Sequence, residues 1–107
     1  MDDEIRYRLL KHIEENPEQS QRKLAKAMGI SLGKTNFCIK ALVDVGLVKV
    51  VNFAKSKNKL NYAYVLTPKG LSEKAAVTVR FLKAKQTQYE VLEKEICNLK
   101  REAARNR

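Results

Sequence analysis

The 27 residues from Ser20 to Gly46, SQRKLAKAMGISLGKTNFCIKALVDVG, constrain this chain more than any other stretch. Ser20 is placed to cap a helix whose apolar positions Leu24, Ala25 and Met28 recur at helical spacing, and Gly29 supplies the left-handed residue that ends it. Ser31 caps a second helix with an apolar stripe at Thr35, Cys38, Ile39 and Leu42, closed by Gly46. Two short helices joined by so tight a turn form a helix-turn-helix.

With that stripe inward, Gly33, Lys34, Asn36, Phe37 and Lys40 face outward, and none is acidic. Ser20–Leu60 holds nine Lys or Arg against the single acid Asp44, so it carries about +8 of the chain's net +10. Such a surface attracts phosphate. A lysine-rich helix face is commonly just a solvated face, but here it coincides with a helix-turn-helix from which acids are nearly absent. Asn can pair with adenine, Lys with guanine or phosphate, and Phe can touch a thymine methyl. Arg22 and Ser31, near helix N-termini, are expected on phosphates.

The flanking segments complete a domain. Asp2–Glu15 reads as a helix with acids at its N-terminal end and a core stripe of Ile5, Leu9, Leu10 and Ile13, broken by Asn16-Pro17. It is net negative and is expected to pack behind the helix-turn-helix. After Gly46 the pattern turns β-branched and alternating, in Leu47–Ala54 and again in Leu60–Leu66, around the basic segment KSKNK. A helix-turn-helix followed by a hairpin is a winged helix, and Lys55, Lys57 and Lys59 at the tip would reach backbone or minor groove.

Thr67-Pro68 opens the last element with a cap and a first-turn proline. Nothing stops that helix before about Ala104. It carries a heptad seam at Ala75, Leu82, Tyr89, Ile96 and Ala103 and at Thr78, Lys85, Leu92 and Leu99. Thr78 and Lys85 interrupt the seam, so the first half of the helix is expected to pack on its own domain through Val79 and Phe81. No remaining sequence can cover Leu82, Tyr89, Leu92, Ile96 and Leu99, which assigns them to dimerisation.

The fold expected is mainly α with a small β-hairpin (α+β): a winged helix-turn-helix over residues 1–70 and a C-terminal dimerisation helix over 71–107. A chain of 107 residues has room for one small core. No run of about 18 apolar residues spans a membrane, and the N-terminus is acidic rather than leader-like, so a cytoplasmic protein is expected. Two distant cysteines, Cys38 and Cys97, and one histidine, His12, build neither a zinc site nor a disulfide framework. No phosphate loop, catalytic triad or carboxylate cluster outside the first helix is present, so no catalytic residue, metal or cofactor is assigned, and an enzyme is not expected.

Helix, helix-turn-helix, wing and Leu66-Thr67-Pro68-Lys69-Gly70 resemble the MarR-type winged-helix transcriptional regulators. The opening DDEIRYRLL, the helix SLGKTNFCIKAL and the wing SKNKLNYAYVLTPKG are most similar to the small bacterial members associated with exopolysaccharide (EPS) biosynthesis loci. Larger members dimerise and form an effector pocket with an extra N-terminal helix and several C-terminal helices. This sequence reads with one C-terminal helix, and no effector is assigned. Their wing carries an Asp-x-Arg pair where this chain has Lys57-Asn58-Lys59, and lysine lacks arginine's fork-shaped contact. The resemblance implies a homodimeric regulator of transcription that binds double-stranded DNA, expected at an inverted repeat. Two other readings compete with it: a winged-helix module for protein interaction, and a thiol-based redox regulator working through Cys38 or Cys97.

Overall fold

A computed structural model describes residues 1–56 and 59–106, with the backbone alone described for 53–56 and 59–61. The order is α1 (Asp3–Glu15), α2 (Gln21–Met28), α3 (Leu32–Asp44), β1 (Val48–Ser56), β2 (Lys59–Leu66) and α4 (Pro68–Arg105). This is the α+β winged helix with a long C-terminal helix that the sequence predicts. β1 and β2 pair antiparallel, with Val48 opposite Leu66 and an irregularity between Ala54 and Ser56. The strands run further than the alternating pattern implies, so Lys55, Ser56 and Lys59 lie in strands rather than in a five-residue loop.

Each helix starts on the cap its sequence offers. Asp2 accepts from the Ile5 amide at 2.8 Å, Ser20 from Lys23, Ser31 from Lys34 and Thr67 from Gly70. The core gathers Leu9, Leu10 and Ile13 of α1, Leu24 and Met28 of α2, Cys38, Ile39 and Leu42 of α3, and Leu47, Val48 and Val77 around the hairpin and α4. These residues come from every helix, so the core locks the orientation of α3 rather than merely supporting it.

The first half of α4 packs on α1. Val77, fully buried, and Phe81, whose ring stacks on Tyr7 with centroids 5.1 Å apart, make the apolar contact. Val79 does not take the packing role expected of it and is 52% exposed. At 3.6 residues per turn, position 79 is turned more than half a revolution from 77, so the two cannot share a face.

Charge reinforces this seam. Arg80 donates to Asp3 at 3.0 Å and to Glu73 at 3.1 Å, Arg6 donates to Glu73 at 3.1 Å, and Lys74 reaches Glu14 at 2.6 Å. Hydrogen bonding by Arg80 holds the Asp3 and Glu73 carboxyls below the usual carboxylate range, with Arg6 contributing at Glu73. Asp3 and Glu14 of α1 are thus engaged by α4.

The segment Leu66-Thr67-Pro68-Lys69-Gly70 fastens α4 to the end of α3. The Thr67 hydroxyl donates to the Gly46 carbonyl at 2.6 Å, its amide donates to Leu47 at 3.0 Å, and the Lys69 ammonium donates to the Val45 carbonyl at 3.0 Å. Gly70 is required here: a Cβ at that position would overlap the Leu47 carbonyl oxygen. Gly46, at φ 78°, makes the turn that presents those carbonyls.

Candidate nucleic-acid interface

The turn between α2 and α3 is built by backbone chemistry. Gly29 takes φ 70°, which lets its amide return to Lys26 at 3.2 Å and the Ile30 amide to Ala25 at 3.1 Å. This pair of bonds satisfies the last carbonyls of α2 and aims the chain at once into α3. Ser31 then caps α3, and the Thr35 hydroxyl, on a fully buried residue, donates back to the Ser31 carbonyl at 2.9 Å. Thr35 therefore sits in the core stripe without an unsatisfied polar atom.

With Thr35, Cys38, Ile39 and Leu42 buried, the opposite face of α3 shows Gly33, Lys34, Asn36, Phe37 and Lys40, all exposed. Phe37 is 73% exposed, the largest value among the exposed large apolar side chains. Burying a ring of that size is worth roughly 1.5–3 kcal/mol, and little of that is realised within this chain. No acid occupies the first turn of α3, where the Leu32 and Gly33 amides and the positive end of the helix dipole point outward. Arg22 and Ser31 are exposed as well. The Ser31 oxygen accepts from Lys34 and leaves its hydroxyl proton for a second partner.

The wing is tied to the same body. The Tyr64 amide donates to the Pro17 carbonyl at 2.8 Å, and the Gln21 side-chain amide donates to the Tyr64 hydroxyl at 3.0 Å, so β2 is held to both the α1–α2 connection and the first turn of α2. Of the wing lysines, Lys55 and Lys59 have described backbones within the strands, and Lys57 lies outside the described residues. Lys23 and Lys26 of α2 and Lys49 of β1 are exposed too. They entered the sequence reading only as charge, because nothing in their spacing separates them from an ordinary solvated face.

Beyond Phe81, α4 is exposed on every side, with Leu82, Tyr89, Leu92, Ile96 and Leu99 all in water. Cys38 is buried in the core, and Cys97 is exposed on α4. Among the described residues no group of three or more His, Cys, Asp or Glu side chains is placed to hold a metal ion, and no helix is long and apolar enough to cross a membrane.

Residues 2–49 match the family described as winged helix-turn-helix DNA-binding. No curated protein matches the sequence. Among solved structures, the chain is similar to the PcaV transcriptional regulator from Streptomyces coelicolor, in complex with its natural ligand, at 20% identity and a TM-score of 0.67. It is similar to the transcriptional regulator SlyA at 22% identity and a TM-score of 0.66. Both alignments cover 78% of this chain and 57% of the other, so the chain spans just over half the length of those proteins. The G34K mutant of S. aureus MepR aligns over all of this chain and 81% of its own, at 20% identity and a TM-score of 0.61. The likeness at these identities is one of fold.

Proposed function

We propose that this protein is a homodimeric transcriptional regulator that binds double-stranded DNA by sequence, with α3 in the major groove and the wing beside it. The observation that carries this reading is the exposed face of α3, where two lysines, an amide and an uncovered phenylalanine stand together on a helix whose opposite face is locked in the core. Lys34 and Lys40 supply phosphate or guanine contacts, Asn36 the two-pronged contact that suits adenine, and Phe37 an apolar contact for a thymine methyl. Arg22, Ser31 and the α3 amides hold phosphates, and the wing lysines Lys55, Lys57 and Lys59 track the neighbouring backbone. The match of residues 2–49 to a DNA-binding winged helix supports the same reading.

Leu82, Tyr89, Leu92, Ile96 and Leu99 pair with a second copy, and the two-fold sets two α3 helices on one face of DNA. The preferred site is then an inverted repeat. The resemblance of the α3 and wing sequences to small regulators of exopolysaccharide loci supports a target at such a locus. Selection of bound fragments from random DNA tests the proposal: an enriched inverted repeat, with preference relaxed in Asn36→Ala and Phe37→Ala, is expected. No enrichment above unselected DNA would refute it.

A further inference from the structure

The exposed seam of α4 begins earlier than its dimerisation residues. Leu71 is 49% exposed, and with Ala75 and Thr78 it lines a shallow groove bounded by Glu14 of α1 and by Lys74. The Thr78 hydroxyl is committed to the Lys74 carbonyl at 2.6 Å, so the residue can offer its methyl to the seam. From Leu71 the seam continues by heptad steps to Ala103, 33 residues or about 50 Å. It is turned roughly a third of a revolution from buried Val77, so packing on α1 leaves it uncovered.

We infer that two copies of α4 pair antiparallel, centred on Thr87, so that the C-terminal half of each helix lies in the groove along the first half of the other. The inference rests on the homodimer proposed above and adds its direction and register. In this arrangement Leu71 meets the partner's Ala103, Ala75 meets the partner's Leu99, Thr78 meets the partner's Ile96, and Leu82 meets the partner's Leu92. Small Ala75 and Thr78 thus receive large residues from the far end, and large Leu71 receives small Ala103. Lys85 meets the partner's Tyr89, a ring face or hydroxyl that suits an ammonium.

Parallel pairing gives none of this. It sets Lys85 against its own copy inside the seam and stacks Ala75 on Ala75, a charge repulsion and a void. Polar positions beside the seam discriminate further. At an antiparallel two-fold each flanking residue faces its own copy, and here those residues are Gln86 and Gln88, neutral amides that can both donate and accept. Away from the axis, Lys74 comes opposite the partner's Glu102. Sliding one helix by one heptad against the other would set Lys85 against the partner's Ile96, a charge on an apolar side chain.

Exposed Cys97 provides the ruler, because Cys38 is buried. A nitroxide attached to Cys97 of the full chain, with Cys97→Ser as the unlabelled control, reads the distance between copies by pulsed electron resonance. Residue 97 lies ten positions from Thr87, so the two labels should stand about 30 Å apart along the axis. A dimer with labels closer than about 20 Å would overturn the antiparallel register and leave the homodimer standing. A monomer by sedimentation at concentrations on the order of tens of micromolar, well above typical dimer dissociation constants, would remove the homodimer itself. Gln88→Lys adds a charge readout with opposite signs. In the antiparallel pair the new lysines face each other, and the dimer dissociation constant should rise about threefold or more. In a parallel pair each meets the partner's Glu93, so a tighter dimer would also refute the inference.

Discussion

Gly70→Ala should unfold the junction between the domain and its long helix. The Leu47 carbonyl, which a new Cβ would overlap, accepts from the Thr67 amide at 3.0 Å and from the Thr67 hydroxyl at 3.2 Å, and its carbon would stand 3.0 Å from that Cβ. Ordinary carbon–oxygen contacts begin near 3.3 Å, so α4 or the Leu47 peptide must retreat by about 1 Å. That movement stretches the amide's hydrogen bond, worth about 1 kcal/mol, and the weaker hydroxyl contact, whose proton is shared with the Gly46 carbonyl, and pulls on Leu47 and Val48, both buried in the core. With the overpacking cost of about 1–3 kcal/mol, the expected loss is about 2–4 kcal/mol, a large part of the roughly 5–15 kcal/mol available to a small domain.

Gly33→Ala is the matched control. Nothing lies within 4 Å of a Cβ there, so the more restricted unfolded chain and the better helix former should raise stability by about 0.5 kcal/mol. Urea unfolding at equal protein concentration reads both variants. With a slope near 1–2 kcal/mol per molar, Gly70→Ala should lower the midpoint by at least about 1 M, and Gly33→Ala should raise it slightly. A Gly70→Ala midpoint within about 0.3 M of wild type would show that the Leu47 contact does not constrain the junction.

Replacing Lys55, Lys57 and Lys59 by Ala should flatten the salt dependence of DNA binding by about 0.9 in log–log slope for each phosphate the wing no longer neutralises; an unchanged slope would remove the wing from the interface. Phe37→Ala should leave the urea midpoint nearly untouched, because the ring is in water, while the gap between specific and non-specific DNA narrows by about 1–3 kcal/mol in competition binding. Cys38→Ser should cost stability, and Cys38 should react slowly with thiol reagents in the native protein; rapid labelling there would revive the redox reading. Asp3 and Glu73 titrate below the usual carboxylate range, so the stability they contribute is present above the unfolded pKa and is lost as pH falls through their folded values. Arg80→Ala should therefore lessen the loss of stability at acidic pH, measured by thermal unfolding across pH at low salt.

The elements legible from sequence were those whose signals are local. Ser20, Ser31 and Thr67 act as caps within three residues of their partners, Gly29 sets its turn by its own φ, and the stripe of α3 repeats on the helix period. What escaped depends on distant residues. The sequence reading paired Val79 with Phe81 as the contacts of α4 with its own domain, and only Phe81 takes that role, because the seam's phase says nothing about a second apolar face. Val77 is buried by α1 and the hairpin instead. The strands outran their alternating pattern because ladder hydrogen bonds extend pairing through residues of any polarity. Gly70 enters the sequence reading only as the end of Leu66-Thr67-Pro68-Lys69-Gly70, and only the approach of Leu47, 23 positions away, reveals why no side chain fits. The outward face of α3 was legible because it is the complement of a buried stripe. The same logic identifies no single lysine on α2, where basic residues surround the apolar positions with no preferred direction.

In the dimer proposed above, the junction that Gly70 permits would also carry the geometry of binding. A dimer reads an inverted repeat only if the two α3 helices keep a fixed separation and angle, so whatever sets the dimer axis must be coupled stiffly to α3. Here the coupling is short. Lys69 and Thr67, at the start of α4, bond the carbonyls of Val45 and Gly46 at the end of α3, and Val77 and Phe81 clamp the same helix to α1. No flexible linker intervenes, because Thr67 is at once the cap of α4 and a donor to the turn after α3. A rotation of α4 about its own axis must break these bonds or drag α3 with it. Weakening the junction should therefore cost operator affinity more than it costs affinity for a single half-site, since a half-site needs only one correctly placed α3. Thr67→Val removes the hydroxyl's bonds and keeps the shape, and comparing the two DNAs at one salt concentration separates these effects. An equal loss on both would mean that the junction stabilises the domain without setting the spacing of the recognition helices.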